Sequence, residues 1–119
     1  METALTDPRK TDVNTDFHVS TALFRTRFET RVFSETDYLP ATLVKRLSEN
    51  VEALTLLDKH YVTEDSGERY DDTSEEYEEC VTGYAVETYG FSDANTVHDV
   101  IVATLQGFVR DYTRVVKYV

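Results

Sequence analysis

Three histidines (His18, His60, His98) and one cysteine (Cys80) are the side chains with the widest chemical repertoire, and their spacing decides what they could do. A structural zinc site takes ligands in closely spaced pairs. No CxxC, HxxxH or HExxH occurs in the chain. The stretch around Gly67 fails as a calcium loop. With Gly67 in sixth place, the first position is Val62 and the twelfth Thr73, where carboxylates are required. Cys80 follows Glu78 and Glu79 and precedes Val81; flanking carboxylates disfavour a thiolate, so a structural cysteine, buried or half-buried, is expected. There is no GxSxG elbow. The four glycines are unclustered, so neither a dinucleotide fingerprint nor a phosphate-cradling loop can be built. Carboxylates are too numerous for any one pair to stand out as acid and base, and no tryptophan offers a sugar-stacking surface. The expectation is a protein that is not an enzyme and uses no metal or cofactor.

Two other groups of residues suit recognition. Arg25, Arg27 and Arg31 occupy alternate positions and form the only dense basic stripe. Such a stripe can touch phosphates or an acidic partner. It can equally pair within the fold, with the acidic segment or with Glu29 and a neighbouring strand. The second group lies in residues 64–79, where nine acids stand against the single base Arg69, a net of −8. Glu75, Glu76, Glu78 and Glu79 surround Tyr77 there, and these five are the candidate docking residues. Tyrosine is the commonest aromatic, and Tyr70, Tyr77, Tyr84, Tyr89, Tyr112 and Tyr118 all fall in the second half. Tyrosine suits half-buried interfaces, and also the rim of a core.

The elements that position these residues follow from periodicity. Residues 1–17 are polar and read as a flexible arm, leaving 18–119 as a single domain. In 22–32, Ala22, Phe24, Thr26, Phe28, Thr30 and Val32 alternate with Arg25, Arg27, Glu29 and Arg31, which predicts a half-buried strand. Residues 34–38 read as a turn, with Pro40 at a first helical position. Leu43, Val44, Leu47, Val51, Leu54 and Leu57 then predict a helix over 40–57. The segment 60–63 reads as a short strand. Ser66-Gly67 marks a turn, and charge repulsion makes 64–79 a solvated acidic loop. Residues 79–89 read as a strand from their β-branched and aromatic content, although Tyr77, Cys80, Val81, Tyr84 and Ala85 also fit helical spacing. Ser92 or Asp93 is placed as the cap of a helix whose stripe is Val97, Val100, Ile101, Thr104, Leu105, Phe108, Val109 and Tyr112. Residues 114–119 either prolong that helix or return as a strand. The order β-α-β-β-α-β predicts an α+β domain of ferredoxin-like type, two helices on one face of an antiparallel sheet. The alternative is a mainly helical chain with 73–89 and 94–118 as a helical hairpin.

Composition bounds the setting. At 119 residues the chain can bury one core, and 40% hydrophobic content excludes compositional disorder. No apolar run is long enough to span a membrane and the first residues are polar, so neither a membrane span nor a signal peptide is expected, and virion or cytoplasm is the expected location. The net charge is −11, with 8 Arg, 4 Lys, 17 Thr, 15 Val and one Ile. This profile resembles proteins of salt-loving archaea and their viruses. In molar salt, repulsion is screened within about 3 Å, so a like-charged surface costs little. The charge is uneven, however. Removing the −8 of 64–79 from −11 leaves −3, closer to balance than uniform brine adaptation predicts.

The stretch CVTGYAVETYGFSDANTVHDVIVATLQGFV, residues 80–109, reads as strand, short turn and amphipathic helix. In that pattern it resembles the second half of tail-terminator and related completion proteins of tailed viruses. Those proteins usually open with a helix, whereas this chain opens with an arm and a strand. The resemblance implies a ring-forming virion component, a tail terminator or head–tail connector. The expected function is therefore a non-catalytic assembly or protein–protein interaction protein. Its expected partners are copies of itself and other assembly subunits, without direct nucleic-acid binding. The alternative is an acidic DNA mimic that inhibits a nuclease or other DNA-binding protein, and a third option is a small-molecule-binding regulatory module.

Overall fold

The structure, a computed structural model, describes residues 9–36, 38–54 and 60–117, with side chains to residue 111. Among the described residues seven elements follow in order: β1 (Arg9–Val13), β2 (Phe17–Phe24), β3 (Arg27–Ser34), α1 (Ala41–Glu52), β4 (His60–Asp71), β5 (Glu76–Thr88) and α2 (Phe91–Lys117). The five strands form one antiparallel sheet in the order β1-β2-β3-β5-β4. The domain is α+β as expected, but the order β-β-β-α-β-β-α replaces the ferredoxin-like β-α-β-β-α-β. The helical-hairpin alternative is also overturned, because residues 76–88 are a strand paired on β4.

The architecture has local causes. The predicted strand 22–32 is two strands joined at Arg25-Thr26, with Phe24 opposite Arg27. A two-residue turn reverses the parity of the faces. Phe17, Val19 and Thr21 therefore share the core face with Thr30 and Val32, while Ala22 and Phe24 go with Arg27, Glu29 and Arg31 to the other side. Arg25 enters the turn at φ 60°, a conformation usually left to Gly or Asn, so the turn carries no sequence mark. Strands also occupy part of the stretch read as an arm, with Phe17 opening β2. Residues 9–13 are β1, paired with β2, and residues 1–8 lie outside those described.

Pro40 precedes α1 rather than opening it. It holds an extended conformation at φ −57° and ψ 139°, and its carbonyl accepts from the Leu43 and Val44 amides. Leu43, Val44, Leu47 and Val51 are buried, Leu54 is partly buried, and the predicted Leu57 lies outside the described residues. In α2 the Gly90 carbonyl, not Ser92 or Asp93, stands at the cap position, accepting from the Ala94 amide. Helix α2 runs on through Lys117, so residues 114–117 prolong it.

One core joins these elements. Val97, Ile101 and Leu105 of α2 meet Val19 and Val32 of the sheet, and Leu43, Leu47 and Val51 of α1 meet Tyr84 and Val86 of β5. Each of the fully buried aliphatic side chains contributes roughly 1.5–3 kcal/mol by leaving water. His98 lies within this core, fully buried. Its Nε2 and Nδ1 share hydrogen bonds with the hydroxyls of Thr11 (2.8 Å) and Thr21 (2.7 Å), and Thr21 in turn bonds Thr30 at 2.7 Å. Burial, with the Arg9 guanidinium nearby, pushes the imidazole down to about 4, so it is neutral near pH 7.

Candidate functional site

The acidic segment 64–79 is not a loop. It forms the outer part of the β4–β5 hairpin, closed by a turn at 72–75. The turn is tied by Asp71, whose carboxylate accepts from the Thr73 amide at 2.9 Å and whose carbonyl accepts from the Glu75 amide at 2.8 Å. The Thr73 bond stabilises the charged form and holds the Asp71 carboxyl below its usual range. Glu75 completes the turn at φ 58°.

Ser66-Gly67, predicted as a turn, sits instead at a bulge: Asp65 pairs with Gly83, and Ser66 already with Val81, leaving Thr82 as the extra residue. A Cβ on Gly67 would approach Thr82 Cγ2 to 2.8 Å, so a larger residue there requires the Thr82 side chain to shift. Such a bulge bends its strand and increases the local twist.

Beyond the bulge, the hairpin leaves its supports. The register of β3 on β5 ends at Val32–Tyr84, and Leu39–Val81 is a single bridge further out. From there to the tip, β4 and β5 pair only with each other among the described residues. Glu68 stands directly opposite Glu79, and Asp71 opposite Glu76, two like-charge pairs that cost stability at low salt. Arg69 faces Glu78 and lies over the Tyr38 ring at 4.4 Å. Tyr70 and Tyr77 face each other as an edge-to-face pair 5.3 Å apart, and Tyr77 remains 70% exposed.

Arg25 and Arg27 lie at the far end of the sheet and Arg31 further along β3, and the structure brings none of the three to the acidic tip. Arg27 pairs with Glu87 at 3.4 Å. Arg31 pairs with Glu29 and lies 3.9 Å from Asp65 at the base of the hairpin. Arg25 occupies the β2–β3 turn, and both it and Arg27 stack over Phe24. Leu23 and Phe24 are each 50% exposed there, and the Tyr61–Tyr89 pair lies at the same end of the sheet. This apolar and basic tip was not legible in the sequence, because the turn that creates it was not.

Grooves of about 400 and 350 Å³ flank the segment leading into α1. One is bounded by Tyr38, Leu39, Arg69, Glu78 and the half-buried Cys80, the other by Phe17, Tyr38, Pro40 and Phe108. On the helix-free face, His18 bonds Asp12 through Nδ1 and Glu35 through Nε2, which raises its pKa. Among the described residues, no group of three or more His, Cys, Asp or Glu side chains is placed to hold a metal ion, and no helix is long and apolar enough to cross a membrane. Compared with known protein families, curated proteins and solved structures, the chain matches none.

Proposed function

We propose that this chain is a non-catalytic assembly subunit that joins copies of itself, in the manner of a tail-terminator or head–tail connector of a virus of salt-loving archaea. The observation that carries this reading is the β4–β5 ribbon. Strands of 12 and 13 residues run past the end of the sheet, and beyond the Leu39–Val81 bridge their outer edges are open among the described residues, with exposed tyrosines. Open strand edges are templates for other chains, and proteins that stay single usually shorten or cover them. Here the edge is long and guarded mainly by charge, a guard that weakens as salt rises. The acidic, lysine-poor composition supports a salty setting, and the succession of β5, a short turn and α2 supports the resemblance to tail terminators. The test is sedimentation velocity in molar KCl on the full chain and on a form with residues 68–79 replaced by Asn-Gly. The full chain should sediment as an oligomer and the trimmed form as a folded monomer. A trimmed form that assembles equally well would overturn the role given to the ribbon.

The second reading, an acidic mimic of DNA, is supported by the facing carboxylates of Glu68 and Glu79 and of Asp71 and Glu76, which set two rows of negative charge along one ribbon. It requires the isolated monomer to displace a basic DNA-binding protein from duplex DNA at low salt.

A further inference from the structure

The fold separates two exposed aromatic tips of opposite charge. The β2–β3 turn lies beside the Phe28–Thr88 pair, at the end of the sheet where β5 finishes. The β4–β5 turn lies beyond Glu76, where β5 begins. The antiparallel register thus sets them at opposite ends of a molecule whose longest dimension is 54 Å. The first tip presents Leu23 and Phe24 with Arg25 and Arg27 stacked on the Phe24 ring. The second presents Tyr70 and Tyr77 between Glu68, Glu75, Glu76, Glu78 and Glu79.

We propose that the Leu23–Phe24–Arg25 tip is a docking surface whose occupant is the Tyr70/Tyr77 ribbon tip of a second copy of this chain. The occupant follows from complementarity: a turn that carries Phe24 under two guanidiniums on one face and Leu23 on the other accepts an aromatic pair flanked by carboxylates. Arg27 is partly neutralised by Glu87, so Arg25 supplies most of the attraction. Because the two surfaces differ and lie at opposite ends, the contact is head to tail. It leaves one donor and one acceptor surface free on every dimer, and it propagates until a ring closes or a filament forms. Salt acts in two directions on it. Screening removes the repulsion between chains of net charge −11, and it also weakens the attraction of Arg25 for the ribbon carboxylates, so at molar salt the aromatic part carries the contact.

This inference rests on the assembly reading above, and mixing separates the two. A tip variant, Phe24→Ser with Arg25→Ser, and a ribbon variant, Tyr70→Ser with Tyr77→Ser, both alter exposed side chains. Circular dichroism checks that each is folded, and Arg25→Ser and Tyr77→Ser alone serve if a double variant is not. At the KCl concentration where the wild type assembles, each variant should associate at least tenfold more weakly. An equimolar mixture should form dimers that grow no further, since one intact tip meets one intact ribbon and nothing remains to extend. If the wild type assembles and the variants assemble equally well, or if their mixture stays monomeric, the head-to-tail contact is wrong and the assembly reading stands. A wild type that stays monomeric at every salt concentration overturns both.

Discussion

His98 and Arg25 show how single residues carry costs that the rest of the chain absorbs. His98 is buried neutral among Thr11, Thr21 and Thr30, with its pKa pushed down to about 4. The unfolded chain takes up the proton near pH 6.5 and the folded chain resists it, so stability is full above pH 6.5 and falls as pH drops towards 4. The slope is at most about 1.4 kcal/mol per pH unit. His18 acts with the opposite sign. Its pKa is raised by Asp12 and Glu35, so its contribution is present below pH 6.5 and lost as pH rises through the raised value. It lies at the surface, so the buried residue dominates. Urea midpoints at pH 7 and pH 5 should therefore fall with acid in the wild type, and His98→Gln should flatten that fall. An unchanged slope in the variant would assign acid sensitivity to other groups. At the β2–β3 turn, Arg25 holds φ 60° without the freedom of glycine. Arg25→Asn should stabilise the fold by several tenths to about 1 kcal/mol in urea titration, since Asn tolerates the left-handed region. The same change should weaken assembly, so stability and association move in opposite directions.

At the scale of elements, the helices and the ribbon follow different rules. Helices α1 and α2 bury their apolar stripes in one core, and Ile101→Ala or Leu47→Ala should cost about 2–5 kcal/mol by chemical denaturation. The ribbon outside the Asp65–Gly83 pair buries little, and a two-stranded ribbon alone is marginal in water. Amide hydrogen exchange at 68–79 should thus be fast in dilute buffer and slow on assembly, while Tyr84 and Val86 stay protected in both states. Slow exchange of the ribbon in the monomer would contradict this. The same contrast explains what could be read from the sequence. The stripe from Val97 to Val109 announces α2, and that from Leu43 to Leu54 announces α1, because burial on one side imposes a 3.6-residue period. Strand β1 was illegible, since only Val13 of its five residues is buried. Of the hairpin, the base was legible, since the strands read over 60–63 and 79–89 overlap β4 and β5; its outer part was not, because composition reports solvation, not pairing. The pairing that joins the two arms of 64–79 left no mark in a stretch so rich in acids. The basic stripe was visible as residue types, but the turn at Arg25-Thr26 divides it between a tip and a strand face.

At the scale of the whole molecule, charge and shape act together. Most of the net −11 sits on one projecting ribbon, while the remainder of the chain is near balance. In dilute buffer this concentrates repulsion at the surface most open to another chain, and at about 1 M salt the repulsion reaches only about 3 Å. A projecting ribbon at one end and an apolar, arginine-bearing turn at the other suit a subunit that is held apart in dilute buffer and joined in brine. The most direct test is molar mass by light scattering across a KCl series from dilute to several molar, with circular dichroism on the same samples. The account predicts a folded protein throughout the upper part of the series, whose mass rises from one chain to a discrete multiple as salt increases. A folded monomer at every KCl concentration would contradict it and move the DNA-mimic reading to first place.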